Sequence, residues 1–97
     1  MIRHTVVFTL KHPAGSPQES EFLQAARKLA EIPGVRKFEC LRQVSTKNHF
    51  RFGLSMEFSR PEDYQAYNVH PDHVAFVQGR WLPEVIDFME IDYEPIG

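Results

Sequence analysis

The 97-residue chain has one cysteine, Cys40, which excludes an internal disulfide and a cysteine zinc cluster. A reducing, cytoplasmic compartment is the expectation. The longest purely apolar run is Val74-Ala75-Phe76-Val77, far below the ~18–20 residues that cross a bilayer. The N-terminus has neither an apolar core nor a small-residue cleavage site, so no signal peptide and no membrane partner are expected. The five glycines form no phosphate-cradling loop, and no nucleophile elbow occurs. With a formal net charge of -2, nothing draws the chain generally towards nucleic acid.

What is present reads as globular: 42% apolar and 25% charged residues, expected as a single domain over 1–97. Charge is uneven. Residues 1–48 carry eight Lys/Arg and four Asp/Glu, whereas residues 49–97 carry three and nine. Pairing between the halves within the fold is the simpler expectation; a steering field for a charged ligand is the sharper one.

Ile2, His4, Val6, Phe8 and Leu10 alternate with Arg3, Thr5, Val7 and Thr9, the period of a strand. Ser16-Pro17-Gln18-Glu19 starts a helix through a capping box, and Phe22, Ala25, Ala26 and Leu29 form its apolar stripe. Pro33-Gly34 ends it. Val35–Val44 reads as a second strand, with Phe38, Cys40 and Val44 sharing a face. Phe50–Phe58 alternates most cleanly and gives the third. Ser59-Arg60-Pro61-Glu62 repeats the capping-box pattern and opens a second helix through about Tyr67. Pro71 breaks or restarts that helix at His70. His73, Phe76 and Val77 continue at helical spacing, and Gly79 and Pro83 weaken the end. Ile86–Glu94 is the last strand.

The order β-α-β-β-α-β predicts an α+β, ferredoxin-like fold with a four-stranded antiparallel sheet and two helices on one face. The other face also carries apolar groups, and a second copy of the chain is the economical cover, so a homodimer is expected. RNA-recognition modules share the element order. Here Phe52, Leu54 and Met56 replace their signature glycine and stacking aromatics, and no nucleic-acid partner is expected.

The histidines focus the search for chemistry. His12 and His49 fall in loops and receive no role. His4 sits on the face to be buried, while His70 and His73 flank Pro71, preceded by Tyr64 and Tyr67. Helix two packed over strand one brings Tyr67 and His73 towards His4. A neutral imidazole is a general base near pH 7, and a tyrosine hydroxyl can donate to a carbonyl that becomes an enolate. The same residues can instead be structural, satisfying one another and the broken helix. A metal site is disfavoured because no carboxylate is evidently paired with the histidines, and no cofactor is expected. Cys40 reads as a small buried hydrophobe.

The sequence resembles the stress-responsive A/B barrel family, the Dabb domains, nearly end to end. The opening Ile2-Arg3-His4-Thr5-Val6-Val7-Phe8, the turn Ile32-Pro33-Gly34-Val35, the run Leu54–Ser59 and the closing Ile91-Asp92-Tyr93 are similar to the family's. Its most specific piece is Tyr67-x-x-His70-Pro71-x-His73. The resemblance implies a homodimeric α+β barrel of eight strands, with His4 at a cavity. A plant member of the family is a cyclase acting on a linear polyketide thioester. By that resemblance His73 is the base that removes a proton α to a carbonyl. Tyr67 orients the substrate and stabilises the enolate, and His4 supports the base or holds the substrate. Phe8, Phe22, Leu54, Met56, His70, Phe76 and Trp81 are expected to line the substrate pocket. Three functions follow for test: a cofactor-free lyase or cyclase, or binder, of a small carbonyl compound; a structural dimer with structural histidines; and a haem- or oxygen-using enzyme.

Overall fold

A computed structural model describes residues 1–97. The elements are β1 Ile2–Leu10, α1 Pro17–Arg27, a 3-10 turn Lys28–Glu31, β2 Arg36–Arg42, β3 Phe52–Phe58, α2 Pro61–Val69 and α3 Pro71–Phe76. A π turn Val77–Trp81, the short α4 Leu82–Glu84 and β4 Val85–Tyr93 complete the chain. All strand pairs are antiparallel, in the order β2-β3-β1-β4. This is the ferredoxin-like fold that the order of elements predicts. No helix is long and apolar enough to cross a membrane.

Alternation in β1 sorts its faces as expected. His4, Val6, Phe8 and Leu10 are buried beneath the helices, with Arg3 exposed and Thr5, Val7 and Thr9 half-buried. From β3, Phe52, Leu54, Met56 and Phe58 bury on the same side. Phe22, Ala26 and Leu29 close over them. Phe8, Phe22 and Phe58 have no exposed surface, and each such aromatic contributes roughly 1.5–3 kcal/mol by burial.

The caps hold one agreement and one difference. Ser16 Oγ accepts from the Glu19 N–H at 3.2 Å, with Pro17 at the first helical position. The Glu19 carboxylate reaches one residue further back than a closed capping box would, accepting from Gly15 N–H at 3.1 Å. At α2 the cap residue is Arg60 rather than Ser59, because Pro61 takes the first helical position. Ser59 Oγ instead accepts from Arg36.

β2 is shorter than expected. Arg36 pairs with Glu57 and Glu39 with Ser55, so β2 holds one extra residue. Lys37 adopts φ 50 at this bulge. Phe38 and Cys40 are half-buried, whereas Val44 lies beyond the strand and is exposed. Gly34 turns at φ 89, and a Cβ there would stand 3.3 Å from Asp63 Cβ; both call for glycine.

The two charge halves meet on the sheet face away from the helices. Arg3 and Lys37 both pair with Glu57, and the Arg3 guanidinium holds that carboxyl below the usual range despite its burial. Glu39 and Ser55 border this cluster, and the face carries apolar groups beyond it. Val7 is half-buried, and Leu41, Met89, Ile91 and Tyr93 are exposed.

Candidate functional site

The chain from Tyr67 to Leu82 forms the roof of a cavity of about 290 Å³ over the helix-side face of the sheet. The motif Tyr-x-x-His-Pro-x-His explains its shape. Pro71 cannot continue α2, so the backbone opens at His70 and a new helix starts. The His70 ring caps that helix, Nδ1 accepting from the Asp72 N–H at 3.1 Å. His73, one turn on, then reaches the cavity beside Tyr67, their ring centroids 4.4 Å apart. Further on, Pro83 has no N–H for the Gly79 carbonyl and its ring would collide with it. The preceding turn widens, the Leu82 N–H bonding Val77 O in π fashion. This carries Trp81 and Leu82 into the wall.

His4, Tyr67 and His73 thus share one cavity, with Leu54, Met56, Phe76 and Trp81 in its lining. Three of the expected lining residues lie elsewhere. Phe8 and Phe22 have no accessible surface, their rings packed 5.7 Å apart in the core. They share the right face but sit too deep. His70 is committed to its cap. Val6, Leu29, Asn68, Val77, Leu82, Phe88 and Glu90 are lining residues that sequence reasoning missed.

It also missed how His4 is held. His4 Nδ1 lies 2.6 Å from Asp92 Oδ1 and 2.9 Å from the Tyr64 hydroxyl, which is itself 2.9 Å from Asp92 Oδ2. An ionised carboxylate only accepts. Tyr64 therefore donates to Asp92, and the His4 Nδ1–H is shared between Asp92 and the tyrosine oxygen. In the neutral ring that tautomer leaves Nε2 as an acceptor. The signal lay in the strand order: β4 antiparallel to β1 sets Asp92, Glu90 and Phe88 opposite His4, Val6 and Phe8. A carboxylate is paired with a histidine after all, but for tautomer control.

His73 follows the same rule through the backbone. Its Nδ1 lies 3.1 Å from the Asn68 carbonyl, which can only accept, so Nδ1 carries the proton and Nε2 the lone pair. Burial pushes its pKa below the ordinary value, partly offset by the Asn68 carbonyl. His73 is neutral at pH 7. Burial and, secondarily, Glu90 push the Tyr67 phenol up, so it stays protonated and able to donate. Burial likewise raises Tyr64, with help from Asp92. The site therefore offers two imidazole acceptors and one phenol donor in largely apolar walls.

The family described as "Stress responsive A/B Barrel Domain" matches residues 2–95. The chain belongs to this family, the Dabb domains. It is 30% identical over 95 residues to a stress-response A/B barrel domain-containing protein of Arabidopsis thaliana. That match covers 96% of the chain but 36% of the plant protein, so the chain spans about a third of that relative's length. A crystal structure of a Dabb family protein with a ferredoxin-like fold from Mesorhizobium loti is 58% identical. It superposes with a TM-score of 0.96, covering 99% of this chain and 97% of the other. A hydroxynitrile lyase from Passiflora edulis is 15% identical, with a TM-score of 0.83 over 95% and 90% of the two chains, and shares the fold.

Proposed function

We propose that this Dabb domain acts as a homodimer whose cavity binds a small carbonyl compound and removes a proton α to the carbonyl without a cofactor. The observation that carries the reading is the pair of anchored imidazoles. His4 and His73 each spend Nδ1 on a fixed acceptor and leave Nε2 uncommitted, and both rings line one mostly apolar cavity with Tyr67.

The chemistry follows from those groups. His73 Nε2 takes the α proton and becomes imidazolium, while the C–H electron pair forms the enolate C=C bond. Tyr67 donates to the carbonyl oxygen as negative charge develops there, in walls where a hydrogen bond gains strength. His4, fixed by Asp92 and Tyr64, accepts a hydrogen bond from the substrate and orients it. Returning the proton to another atom completes an isomerisation; expelling a group from the β carbon completes an elimination; attack of the enolate carbon on a second carbonyl completes a cyclisation.

The dimer rests on the uncovered sheet face and on closure. Four strands do not close a barrel, which takes about eight. A second copy laid on Val7, Leu41, Met89, Ile91 and Tyr93 supplies the other four and covers this apolar face.

A screen by thermal melting tests the site. Wild type and His73→Ala are melted with small neutral ketones. A ligand at about 100 times its dissociation constant adds roughly 2.7 kcal/mol, several degrees for a domain of this size. Hits lost in His73→Ala support the reading. The second reading, a stable structural dimer without chemistry, is favoured by Tyr67 being 2% exposed and packed on Phe58 as a core residue. No hits, with His73→Ala as stable as wild type, would select it.

A further inference from the structure

Glu90 has no part in the mechanism above, yet it stands in the cavity wall. It lies on the helix-side face of β4, opposite Val6, two residues from Asp92. It is the only residue lining the cavity that carries a carboxyl group, and no lysine or arginine lines it. The nearby cations are engaged elsewhere. Arg80 pairs with Glu84 at 3.0 Å with its guanidinium over the Phe22 ring, and Arg3 pairs with Glu57 on the opposite sheet face. The field of Glu90 is felt at the reacting groups: it opposes the effect of burial on His73 and adds to it on Tyr67. The second carboxylate on the same strand face, Asp92, is already held by His4 and Tyr64. The cavity therefore offers a partnerless carboxylate on one side and the Tyr67–His73 pair on the other.

Glu90 is exposed, so it stands where the cavity opens to solvent. An anionic ligand entering there meets an uncompensated negative charge, whereas a cation meets a charge-assisted acceptor. We infer that the cavity selects a carbonyl compound carrying a protonated amine, with Glu90 as the residue that receives the ammonium group and rejects carboxylated analogues. The inference rests on the reading of the cavity as a carbonyl site and names its substrate class. Glu90 accepts hydrogen bonds from the ammonium group, which places the ligand's carbonyl end towards Tyr67 and His73. Binding moves no proton and forms no covalent bond, so Glu90 is a specificity residue and not a base.

Three aryl ketones of different charge provide the test: 4-acetylbenzylamine hydrochloride, acetophenone and benzoylformate. Their dissociation constants are measured by calorimetry at pH 7 and low salt for wild type and Glu90→Gln, which preserves side-chain shape. The ammonium ketone should bind wild type about tenfold more tightly than acetophenone, and benzoylformate most weakly. Glu90→Gln should erase the preference for the cation, improve benzoylformate and leave acetophenone unchanged. Equal binding of the three by wild type, or a preference that survives Glu90→Gln, would overturn the inference while leaving the carbonyl site standing. Failure of all three to bind would overturn the carbonyl site and this inference with it.

Discussion

His4 on β1 and Asp92 on β4 are direct partners across the sheet, and their side chains meet at 2.6 Å between Nδ1 and Oδ1. Tyr64 closes the triangle from α2. A sheet register thus fixes the tautomer of a cavity histidine, and a helix seals it. The arrangement ties the fold's topology to the site's chemistry, because a slip of β4 by one residue would turn Asp92 to the other face.

The triangle should behave as a unit. Tyr64→Phe removes a hydroxyl that donates to Asp92 and accepts from His4, and should cost about 0.5–1.5 kcal/mol. Asp92→Asn should cost a similar amount, and the double variant less than the total of the two, with a coupling of at least about 0.5 kcal/mol. Urea unfolding of the four proteins measures this. Strict additivity would mean the three groups do not act together.

Tyr67 separates chemistry from packing. Tyr67→Phe keeps the ring against Phe58 and His73 and should shift the melting temperature by only a few degrees. Turnover should fall by roughly 10²–10³, the usual cost of one oxyanion donor. Unfolding of the variant would assign the hydroxyl to stability instead.

His73 sets the acid limit. Its folded pKa lies below the ordinary value of 6.5 because burial disfavours the charged ring. Between the folded and unfolded values the unfolded chain binds more protons, so stability rises with pH there. It is fully present above about pH 6.5 and is lost as pH falls through the folded value. His73→Gln should flatten this part of the stability profile, and the acid limb of wild-type activity should lie below pH 6.5. Melting curves from pH 4 to 8, with NMR titration of the ring, check both. A ring titrating above 6.5 would contradict the geometry.

The open sheet face makes its own prediction. Val7→Asp places a charge at the centre of the surface proposed for the second copy. It should yield unfolded or aggregated chain where wild type sediments as a pair of 11.3 kDa chains. Sedimentation equilibrium reads the difference. A folded, fully soluble Val7→Asp monomer would remove the barrel.

Much of this was legible from local patterns. The alternation of β1 assigned His4, Val6 and Phe8 to the covered face, and the Tyr67–His73 motif located the cavity roof. What escaped depends on distant pairing. Asp92 and Glu90 acquire meaning only once β4 lies against β1 in a particular register. Depth escaped too: periodicity tells which face Phe8 and Phe22 occupy but not that their rings are sealed below the cavity floor. The bulge at Lys37 inserts one residue into β2, and the π turn forced by Pro83 carries Trp81 into the wall; neither irregularity shows in a regular two- or 3.6-residue period.

Proton abstraction itself can be watched most directly by exchange. Acetophenone in D2O at pH 7 exchanges its α protons slowly, and NMR follows their loss. The protein should accelerate that loss well above the buffer rate. His73→Ala should return the rate to background, and Tyr67→Phe should lower it by about a hundredfold or more. Exchange no faster than in buffer, with acetophenone shown to occupy the cavity, would contradict the claim that His73 and Tyr67 form a catalytic pair.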